Sequence, residues 1–391
     1  MKDNFFHFIT AGSGPAGSAA ALNLARAGYS VAIIERKSQP RYKVCGGAVP
    51  AYLNKLFDFD IFGSINCVPI GSVYFTYKGG KDIYSRVDET ALYGVDRSDF
   101  DFFLYKKAVE VGAKSFTGEV ILDAQEFDDY VQVKTKSGKT FRCKFLIGAD
   151  GANSIVRSKL FSKEFKGIKT ASSLVWETDN FSKNIFNRYH NCTHMDFNWL
   201  QKGYFGLIPK FDHFTLGGYV AGYEKPEKLK KALKKFCEYL KFDTSGFKPA
   251  IRYYPYYDRH RTLNTGRTVL LGDAACLVDK LSGEGIKYAV MSGINAAKVL
   301  ECALHGRMSL SEYTRLIHSI IGKELLYAKK MARISYLFPS IAYEGLVRVS
   351  EEANKILNGQ MSYSVFIERL SNKIKRKILN FINPFKKKSA L

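Results

Sequence analysis

Glycines at a fixed spacing near the beginning of the chain are suited to binding a phosphate group. Gly12, Gly14 and Gly17 follow the apolar run 5–11, and Ala21 completes a G-x-G-x-x-G-x-x-x-A pattern. In such a pattern the first glycine permits a tight turn, the second lets the backbone approach a pyrophosphate, and the third allows close packing of helix on strand. The helix that follows directs its backbone N–H groups at the anion. The sequence therefore predicts a dinucleotide site here.

An acidic residue farther along indicates which dinucleotide this site accepts. Glu35 comes 23 residues after Gly12 and ends the next apolar run. A carboxylate at this position accepts hydrogen bonds from ribose hydroxyls and repels a 2′-phosphate. We therefore expect FAD or NAD rather than NADP. The predicted unit comprises strand 5–11, turn 12–17, helix 18–27 and strand 31–35.

Two later segments place an aspartate among small residues at the end of a strand. Gly272-Asp273 follows the apolar run 268–271, and Asp150-Gly151 follows a run that ends in Gly148-Ala149. Each segment alone would also suit an ordinary turn with a capping aspartate. Small residues at both positions nevertheless allow a ligand to approach the backbone closely.

Together the three segments resemble the FAD-containing oxidoreductases of the p-hydroxybenzoate hydroxylase-like group, over roughly residues 5–305. The resemblance implies FAD as the cofactor. It implies that Asp273 contacts the ribityl chain of the flavin and that Asp150 lies by the pyrophosphate. By the same resemblance, Arg97 begins a helix and reaches the phosphate region.

Two further segments narrow the resemblance to the geranylgeranyl reductase family. Residues 43–47 match its K-x-C-G-G segment, which in that family places Cys45 near the flavin. Residues 272–286 match its G-D-A-A-x-x-x-D-P-x-x-G-E-G-I run, except that Lys280 stands where proline is usual. Helix entry after Gly285 would present backbone N–H groups to the flavin O2 region and stabilise a reduced, anionic flavin.

The family's Y-x-W-x-F-P-K signature is only partly present, at residues 204–210. Its first, sixth and seventh positions are kept, but Gly206 replaces the tryptophan and Ile208 the phenylalanine. The thinner aromatic wall should widen the pocket over the flavin, which changes the expected substrate more than the reaction. Tyr204 and Lys210 are expected to be pocket and headgroup residues.

The resemblance implies an FAD-dependent oxidoreductase that reduces C=C bonds of a prenyl, isoprenoid or other lipid-like substrate. Hydride would come from N5 of the reduced flavin and a proton from an acid or water, with Cys45 beside the reacting carbon. Two alternatives stay open: a flavin monooxygenase that hydroxylates an aromatic or lipid substrate, and a basic FAD-containing binding protein. Halogenation is disfavoured because residues 204–209 lack both tryptophans of the W-x-W-x-I-P motif. NADPH, NADH and ferredoxin all remain possible electron donors.

The order of strand and helix patterns predicts a discontinuous α/β architecture with an additional β domain. A Rossmann-like FAD-binding domain is expected at residues 1–160 and 250–308, and a mainly antiparallel β substrate domain at 161–249. Hairpin 72–87 is expected to join the sheet of the substrate domain, and residues 309–391 to be helical. The expected cofactor-binding residues are Gly12, Gly14, Pro15, Ala16, Gly17, Glu35, Arg36, Cys45, Gly46, Gly47, Arg97, Asp150, Asp273, Gly283, Gly285 and Ile286.

The composition limits the possible partners. The 391 residues include 59 Lys and Arg against 37 Asp and Glu, which gives a net charge of +22. A hydrophobic fraction of 46% predicts a folded chain rather than a basic disordered one. The charge therefore lies on a folded surface and attracts nucleic acid, acidic headgroups or phosphorylated ligands. We expect no nucleic-acid partner, because the basic runs contain no nucleic-acid module.

Other features bear on the compartment and on metals. The apolar run 268–278 is broken by Asp273, so no membrane-spanning helix is expected. Seven cysteines without a C-x-x-C pair indicate a reducing compartment, and the N-terminus lacks the pattern of a secretory leader. We therefore expect a cytoplasmic location. His190 and His194 are four residues apart but have no third ligand at a suitable spacing, so no metal site is expected.

The C-terminal segment predicts contact with a membrane surface. Residues 369–391 contain eight basic and no acidic side chains. Apolar residues recur there at spacings of three and four, at Ile367, Leu370, Ile374, Ile378 and Phe381. This pattern fits an interfacial helix that lies on an anionic cytoplasmic membrane face. An amphipathic helix that closes the core with a solvated basic end is the alternative.

Overall fold

The computed structural model describes residues 5–80, 83–86, 90–348, 352, 355–356, 359–369 and 371–372. The basic tail at 373–391 and the tip of hairpin 72–87 lie outside the described residues. The strands are β1 (Phe5–Ala11), β2 (Val31–Glu35), β3 (Ala48–Pro50), β4 (Cys67–Ile70), β5 (Ser72–Tyr77), β6 (Ile83–Arg86), β7 (Leu92–Val95), β8 (Lys114–Thr117), β9 (Ile121–Glu126), β10 (Val131–Thr135), β11 (Thr140–Gly148), β12 (Thr170–Thr178), β13 (Cys192–Phe197), β14 (Gly203–Pro209), β15 (Phe214–Val220), β16 (Ala250–Pro255) and β17 (Thr268–Leu270). The α-helices are α1 (Pro15–Arg26), α2 (Arg97–Glu110), α3 (Ile155–Leu160), α4 (Lys183–Tyr189), α5 (Pro226–Tyr239), α6 (Ile286–Leu304), α7 (Ser311–Ile317), α8 (Lys323–Leu337) and α9 (Pro339–Arg348).

The first sheet has the strand order β8-β2-β1-β11-β10-β9, with β17 beside β11. Strands β8, β2, β1, β11 and β17 run parallel. All five residues of β2 are buried, as expected for a parallel strand that is covered on both faces. Helices α1 and α6 approach so closely that a side chain does not fit between them at Gly293. A Cβ atom there would lie 2.3 Å from the carbonyl oxygen of Ala16. This is the predicted Rossmann-like arrangement.

The glycine turn after β1 differs slightly from its prediction. Helix α1 begins at Pro15, three residues before the predicted start at Ser18, with Gly14 as its extended N-cap residue. Proline suits this first position because its missing N–H would have no partner in the helix. Gly12 adopts φ +101°, and a Cβ atom there would lie 2.5 Å from the carbonyl oxygen of Ala149. Only glycine therefore fits at this turn.

The second sheet has the order β16-β12-β15-β14-β13-β5-β6. The hairpin of β5 and β6 joins its edge, where β5 runs parallel to β13. Strand β14 alternates between two surroundings: Phe205 and Leu207 are buried in a core that helix α5 covers, and Tyr204, Gly206 and Ile208 are half-buried on the opposite face. The face of the second sheet that carries Tyr204, Gly206 and Ile208 is directed at the loops of the first sheet.

The remaining elements hold the two large sheets together. A small sheet with the order β3-β7-β4 packs beside α2, and α7, a π-turn at His318–Gly322, α8 and α9 follow α6 along the chain. The Tyr343 hydroxyl of α9 donates to the carbonyl of Phe75, which links the C-terminal helices to β5. Within the described ranges, none of the helices has both the length and the apolar character that crossing a bilayer requires.

Candidate active site

A cavity of about 890 Å³, counted with its open mouth, lies between the loops of the first sheet and the exposed face of the second. One wall consists of Pro15, residues 43–46, Arg97 and Asp273, together with Ser282, Gly283, Gly285, Ile286 and Ala289. The other wall consists of residues from β12, β14, β15 and β16. Most of the predicted site residues are thereby brought to one place.

The N-terminus of α1 at this cavity is suited to an anion. No side chain caps the first turn of α1, so its backbone N–H groups are available to a ligand. A Cβ atom on Gly14 would meet only the Arg41 guanidinium, at 3.4 Å, so the space in front of the turn is open. Arg41 itself lies 3.1 Å from Asp101 and 3.7 Å from Glu35. Arg41 was not predicted from the sequence, since its place beside Gly14 depends on a fold-back of the chain after β2.

Glu35 lies at the predicted end of β2 and is 5% exposed. One carboxylate oxygen accepts hydrogen bonds from the N–H and hydroxyl of Ser13, and the other accepts from the N–H of Lys37. The second oxygen therefore keeps a lone pair for a further donor such as a ribose hydroxyl. The next residue, Arg36, is exposed and is not among the residues that line the cavity.

Arg97 begins helix α2, as predicted, and is buried. Its guanidinium donates two hydrogen bonds to the fully buried Asp101, at 2.8 and 2.9 Å. Burial alone would raise the pKa of Asp101, but the charges and hydrogen bonds of Arg97, with the charges of Arg41 and Lys43, lower it. Arg97 also approaches the sulfur of Cys45, so this ion pair positions a cation at the cavity wall.

Asp273 joins the two walls of the cavity. Its carboxylate accepts a hydrogen bond from Arg252 of β16 at 2.6 Å and lies 4.0 Å from the ammonium of Lys43. Burial opposes ionisation of Asp273, but the nearby charges of Lys43 and Arg252 lower its pKa. Burial, with the charges of Arg252 and Arg97, lowers the pKa of Lys43 to about 7. The role of Arg252 was missed because no local pattern relates β16 to the Gly-Asp segment.

Cys45 lies on the cavity wall, where cations act on its thiol. Burial raises the pKa of the thiol, but the charge of Arg97, the N–H of Gly47, a hydrogen bond from Arg97 and the charge of Lys43 together lower it below its ordinary value. A thiol whose pKa is lowered releases its proton more easily, and the thiolate that remains is the more nucleophilic form of cysteine. The wall therefore supplies an acidic thiol at the predicted position.

The predicted headgroup role of Lys210 does not fit its position. Lys210 is 6% exposed, and its ammonium donates to the carbonyls of Gly46, Gly47 and Val95, at 2.7, 3.3 and 2.6 Å. These bonds satisfy its donors and direct it away from the cavity. Lys210 therefore positions the loop that carries Cys45. The sequence could not show this, because the acceptors come from two distant segments.

The second sheet contributes a narrow slot across from that loop. Gly206 of β14 pairs directly with Gly217 of β15, and neither has a side chain to fill the space. Ile208 bounds one end of the slot, where its side chain packs against Gly46. A Cβ atom on Gly46 would lie only 2.8 Å from the Cδ1 atom of Ile208. Tyr219 bounds the other end, where its ring packs against Gly283. A Cβ atom on Gly283 would lie 2.7 Å from the Cδ2 atom of Tyr219. The slot therefore lies between the Ile208–Gly46 contact and the Tyr219–Gly283 contact, each of which connects the two walls of the cavity.

Residues of the turn before α6 close this end of the cavity. Tyr204 lines the slot, and its hydroxyl donates to the carbonyl of Ser282 at 2.6 Å. Asp279 orders the turn by accepting from backbone N–H groups and, at 2.6 Å, from the hydroxyl of Tyr363. Gly285 is the N-cap residue of α6 and offers no capping side chain. Lys280, which replaces the usual proline, places its ammonium 5.1 Å from the ring centroid of Tyr256.

The two histidines considered for a metal lie in different surroundings. His190 is exposed at the end of α4, whereas His194 is buried, with its ring nitrogens 2.7 Å from the Thr76 hydroxyl and 3.2 Å from the Tyr189 hydroxyl. Within the described part of the chain, side chains with suitable ligand atoms come together at Asp96, Asp212 and His213, of which Asp212 is largely exposed.

Comparison with known proteins agrees with this geometry. Residues 76–209 match the FAD binding domain family. An uncharacterized protein of Methanosarcina barkeri is 32% identical over 303 residues, which cover 76% of this chain and 75% of that protein. The geranylgeranyl diphosphate reductase of Rhodobacter capsulatus is 29% identical over 320 residues, 73% of each chain. The chain belongs to the geranylgeranyl reductase family of FAD-dependent oxidoreductases.

Solved structures agree with the predicted fold class of this geranylgeranyl reductase family member. A geranylgeranyl bacteriochlorophyll reductase-like protein from Thermoplasma acidophilum superposes with a TM-score of 0.78, at 19% identity, over 98% of this chain and 99% of that chain. A flavin-dependent brominase superposes with a TM-score of 0.73, at 17% identity, over 95% of this chain and 100% of that chain. The α/β fold with a Rossmann-like FAD-binding domain is confirmed, and so is FAD as the cofactor.

Features of this family member fit the flavin nucleotide. The uncapped first turn of α1 and the open space at Gly14 suit its pyrophosphate. Asp150 accepts from the N–H groups of Ile155 and Val156 through one oxygen, while its other oxygen is buried with no partner among the described residues. A buried oxygen of this kind is costly unless a ligand or water donates to it. A place for such a donor therefore lies beside the glycine turn, since a Cβ atom on Gly12 would come within 3.2 Å of the Cα atom of Asp150.

Proposed function

We propose that the protein reduces C=C bonds of a prenyl or other lipid-like chain in the slot between Gly206 and the Cys45 loop. FAD, when bound and reduced, supplies the hydride for such a reduction. The observation that carries the proposal is the glycine pair of β14 and β15, because it leaves a gap in the sheet wall that Tyr204, Ile208 and Tyr219 border. Among the described residues of the sheet that line the cavity, none is acidic, and the one cation, Arg252, is paired with Asp273. Such a gap suits an uncharged chain of small cross-section.

The chain's own residues then have distinct roles in this proposal. The thiol of Cys45 lies beside the reacting carbon and gives a proton to it, while Arg97 and Gly47 stabilise the thiolate that remains. Tyr204 and Ile208 hold the prenyl chain on either side of Gly206. The ammonium of Lys210 keeps the Cys45 loop against the slot. Closing of the walls at Ile208 and Tyr219 limits access of water.

We propose that one set of residues surrounds the flavin. Arg41 joins the predicted residues because of its place beside Gly14, and Arg36 is left out because it is exposed. The set comprises Gly12, Gly14, Pro15, Ala16, Gly17, Glu35, Arg41, Cys45, Gly46, Gly47, Arg97, Asp150, Asp273, Gly283, Gly285 and Ile286. The proposed domain limits are 1–160 with 250–308 for FAD, 161–249 for the substrate and 309–391 for the C-terminal helices.

We also propose that the protein works at the cytoplasmic membrane face and takes electrons from NADPH, NADH or ferredoxin. A substrate dissolved in lipid would require the enzyme to reach the membrane surface. The basic segment 369–391 supports this, because each cation near an anionic leaflet contributes about 1 kcal/mol. Replacing Lys375, Arg376 and Lys377 by Gln and removing residues 384–391 should reduce sedimentation with anionic vesicles. Unchanged sedimentation would contradict a role for this segment.

The reaction can be tested without knowing the natural electron donor. FAD-loaded protein is reduced with dithionite under anaerobic conditions and mixed with geranylgeranyl diphosphate, and the product is analysed by mass spectrometry. The expected product gains two hydrogen atoms for each bond reduced, and its formation requires no oxygen. A product that forms only in air and gains an oxygen atom would instead support the monooxygenase alternative. Recovery of unchanged substrate under both conditions, and likewise with other prenyl lipids, would contradict the proposal.

A further inference from the structure

An exposed apolar corner is present where α8 meets α9. Ile334, Leu337, Phe338 and Ile341 are 64, 65, 57 and 67% exposed. Helix α8 ends at Leu337, Phe338 leaves the helical conformation, and α9 begins at Pro339. The four side chains therefore come from both arms of one bend. A group of exposed large apolar residues marks a site of interaction with a protein or a membrane.

Cationic side chains surround the loop beside this corner. Arg333 is exposed on α8 one turn before Leu337, Lys329 lies one turn earlier on the same helix, and Lys202 is exposed just before β14. The charges of these three residues add to burial in lowering the pKa of Lys280, whose backbone carbonyl accepts from Tyr336 of α8. The charge of Asp258 raises the pKa of Lys280, but the Asp258 carboxylate already accepts a hydrogen bond from Arg261. The region next to the apolar corner is therefore positively charged.

Tyr336 connects the corner to the candidate active site. Its hydroxyl donates to the carbonyls of Lys280 and Leu281, at 3.2 and 2.9 Å. Its ring packs in a cluster with Tyr219 and Tyr254, which both line the cavity. Tyr336 lies between Ile334 and Leu337 along α8, so the helix that carries the apolar corner also packs against the tyrosines of the cavity wall.

We propose that the α8–α9 corner docks the protein on the interface of an anionic lipid bilayer. The apolar side chains would enter between the lipids, and the exposed Lys202 and Arg333 would contact headgroup phosphates. Lys280, over the ring of Tyr256, and Lys329, which donates to the carbonyl of Asp258, would add positive charge behind them. Apolar residues beside cations are the combination that membrane interfaces bind. A symmetric dimer through the same surface would instead bring two sets of cations together. The proposal rests on the proposed function in one respect, since a lipid-like substrate gives docking its purpose.

Insertion of the corner can be measured with a tryptophan at its tip. In a Phe338→Trp variant, vesicles of phosphatidylcholine with about 30 mol% phosphatidylglycerol and brominated acyl chains should quench the added fluorescence. The control is Phe211→Trp, because Phe211 is 66% exposed at the end of the β14–β15 hairpin opposite to Lys202. The native Trp176 and Trp199 contribute the same background fluorescence in both variants. Equal quenching of both variants, or none in either, would overturn the proposal.

Binding itself can be measured by vesicle sedimentation. The double variant Leu337→Gln, Phe338→Gln should bind at least about tenfold more weakly, because two exposed side chains no longer enter the bilayer. Phe211→Gln should bind as the wild type does, and omission of phosphatidylglycerol or addition of salt should weaken the wild-type protein. Circular dichroism should show no change of fold, since the replaced side chains are exposed.

Other outcomes identify other occupants of the surface. If the double variant still sediments and the protein without residues 384–391 does not, the tail is responsible and the corner proposal is wrong. If the wild-type protein is a dimer that the double variant abolishes, and neither sediments with vesicles, the corner is a contact between copies. Each readout is independent of turnover. A protein that sediments as expected but reduces no prenyl substrate would contradict only the proposed function.

Discussion

Gly206 of β14 lies directly opposite Gly217 of β15 in the antiparallel pairing of the second sheet. The two positions differ in what an added Cβ atom would meet. At Gly217 it would lie 2.6 Å from the carbonyl oxygen of Leu174, whereas at Gly206 the nearest atom is the carbonyl oxygen of His194, at 3.0 Å. Backbone packing therefore requires glycine more strictly at 217. Gly206 is the position at which the width of the slot can change.

Replacing Gly206 by Trp should restrict the chains that the slot accepts, because the indole would fill the gap opposite Gly217. We expect turnover of the longest prenyl chain to fall about tenfold or more relative to the shortest, since misplacing reacting groups is costly. Rates with prenyl diphosphates of increasing length measure this effect, and flavin content should stay unchanged. Gly206→Ala is the matched control. If the variant and the wild type showed the same relative rates for all chain lengths, Gly206 would not line the substrate pocket.

Replacing Gly14 by Ala should abolish or strongly weaken FAD binding without unfolding the protein. The added methyl group would make only an ordinary contact with Arg41 in the flavin-free protein, at 3.4 Å, but would occupy the approach to the pyrophosphate. We expect the dissociation constant of FAD to rise at least about tenfold, as measured by fluorescence titration. Gly71→Ala is the control, because a Cβ atom there meets nothing within 4 Å. Full flavin occupancy in the Gly14 variant would contradict the assignment.

The fold was easier to predict from the sequence than the site. The glycine spacing predicts the first β-α-β unit because each glycine there has a local steric cause. Likewise, alternation with a period of two is enough to place Tyr204, Gly206 and Ile208 on one face of β14. Contacts of Arg252 and Lys210 could not be predicted in this way, because their partners lie in segments that only the tertiary fold brings near. The position of Lys210 at the end of β14 gave no sign that it points toward backbone carbonyls.

Replacing Lys210 by Met should loosen the loop that carries Cys45. The ammonium donates to three carbonyls, and hydrogen bonds from a charged group contribute more than neutral ones. We expect the free energy of unfolding to fall by about 2 kcal/mol in denaturant titrations, and FAD to bind more weakly. Lys134→Met is the control, since Lys134 is exposed on β10. If both variants lose the same stability and keep the same FAD affinity, Lys210 does not position the loop.

The thiol of Cys45 should ionise at a lower pH than that of Cys67 in the same protein. Arg97 and Lys43 lower the pKa of Cys45 against the effect of burial, whereas burial raises the pKa of Cys67. Iodoacetamide reacts with the thiolate, so the alkylation rate rises with pH and levels off above the pKa. Mass spectrometry of the two peptides from flavin-free protein should therefore give a lower midpoint for Cys45, and Lys43→Met should raise that midpoint. The same midpoint for both cysteines would contradict the assignment.

The ionisation of Cys45 also predicts how turnover depends on pH. A proton donor acts only while it is protonated, so turnover should fall as the pH rises through the pKa of this thiol. Because the cations of the cavity wall lower that pKa, the fall should begin at a lower pH than an ordinary cysteine would give. Cys45→Ala should be slower at low pH and should lose this alkaline limb, whereas Cys67→Ala should keep the wild-type profile. An unchanged pH profile in Cys45→Ala would show that water or another group supplies the proton.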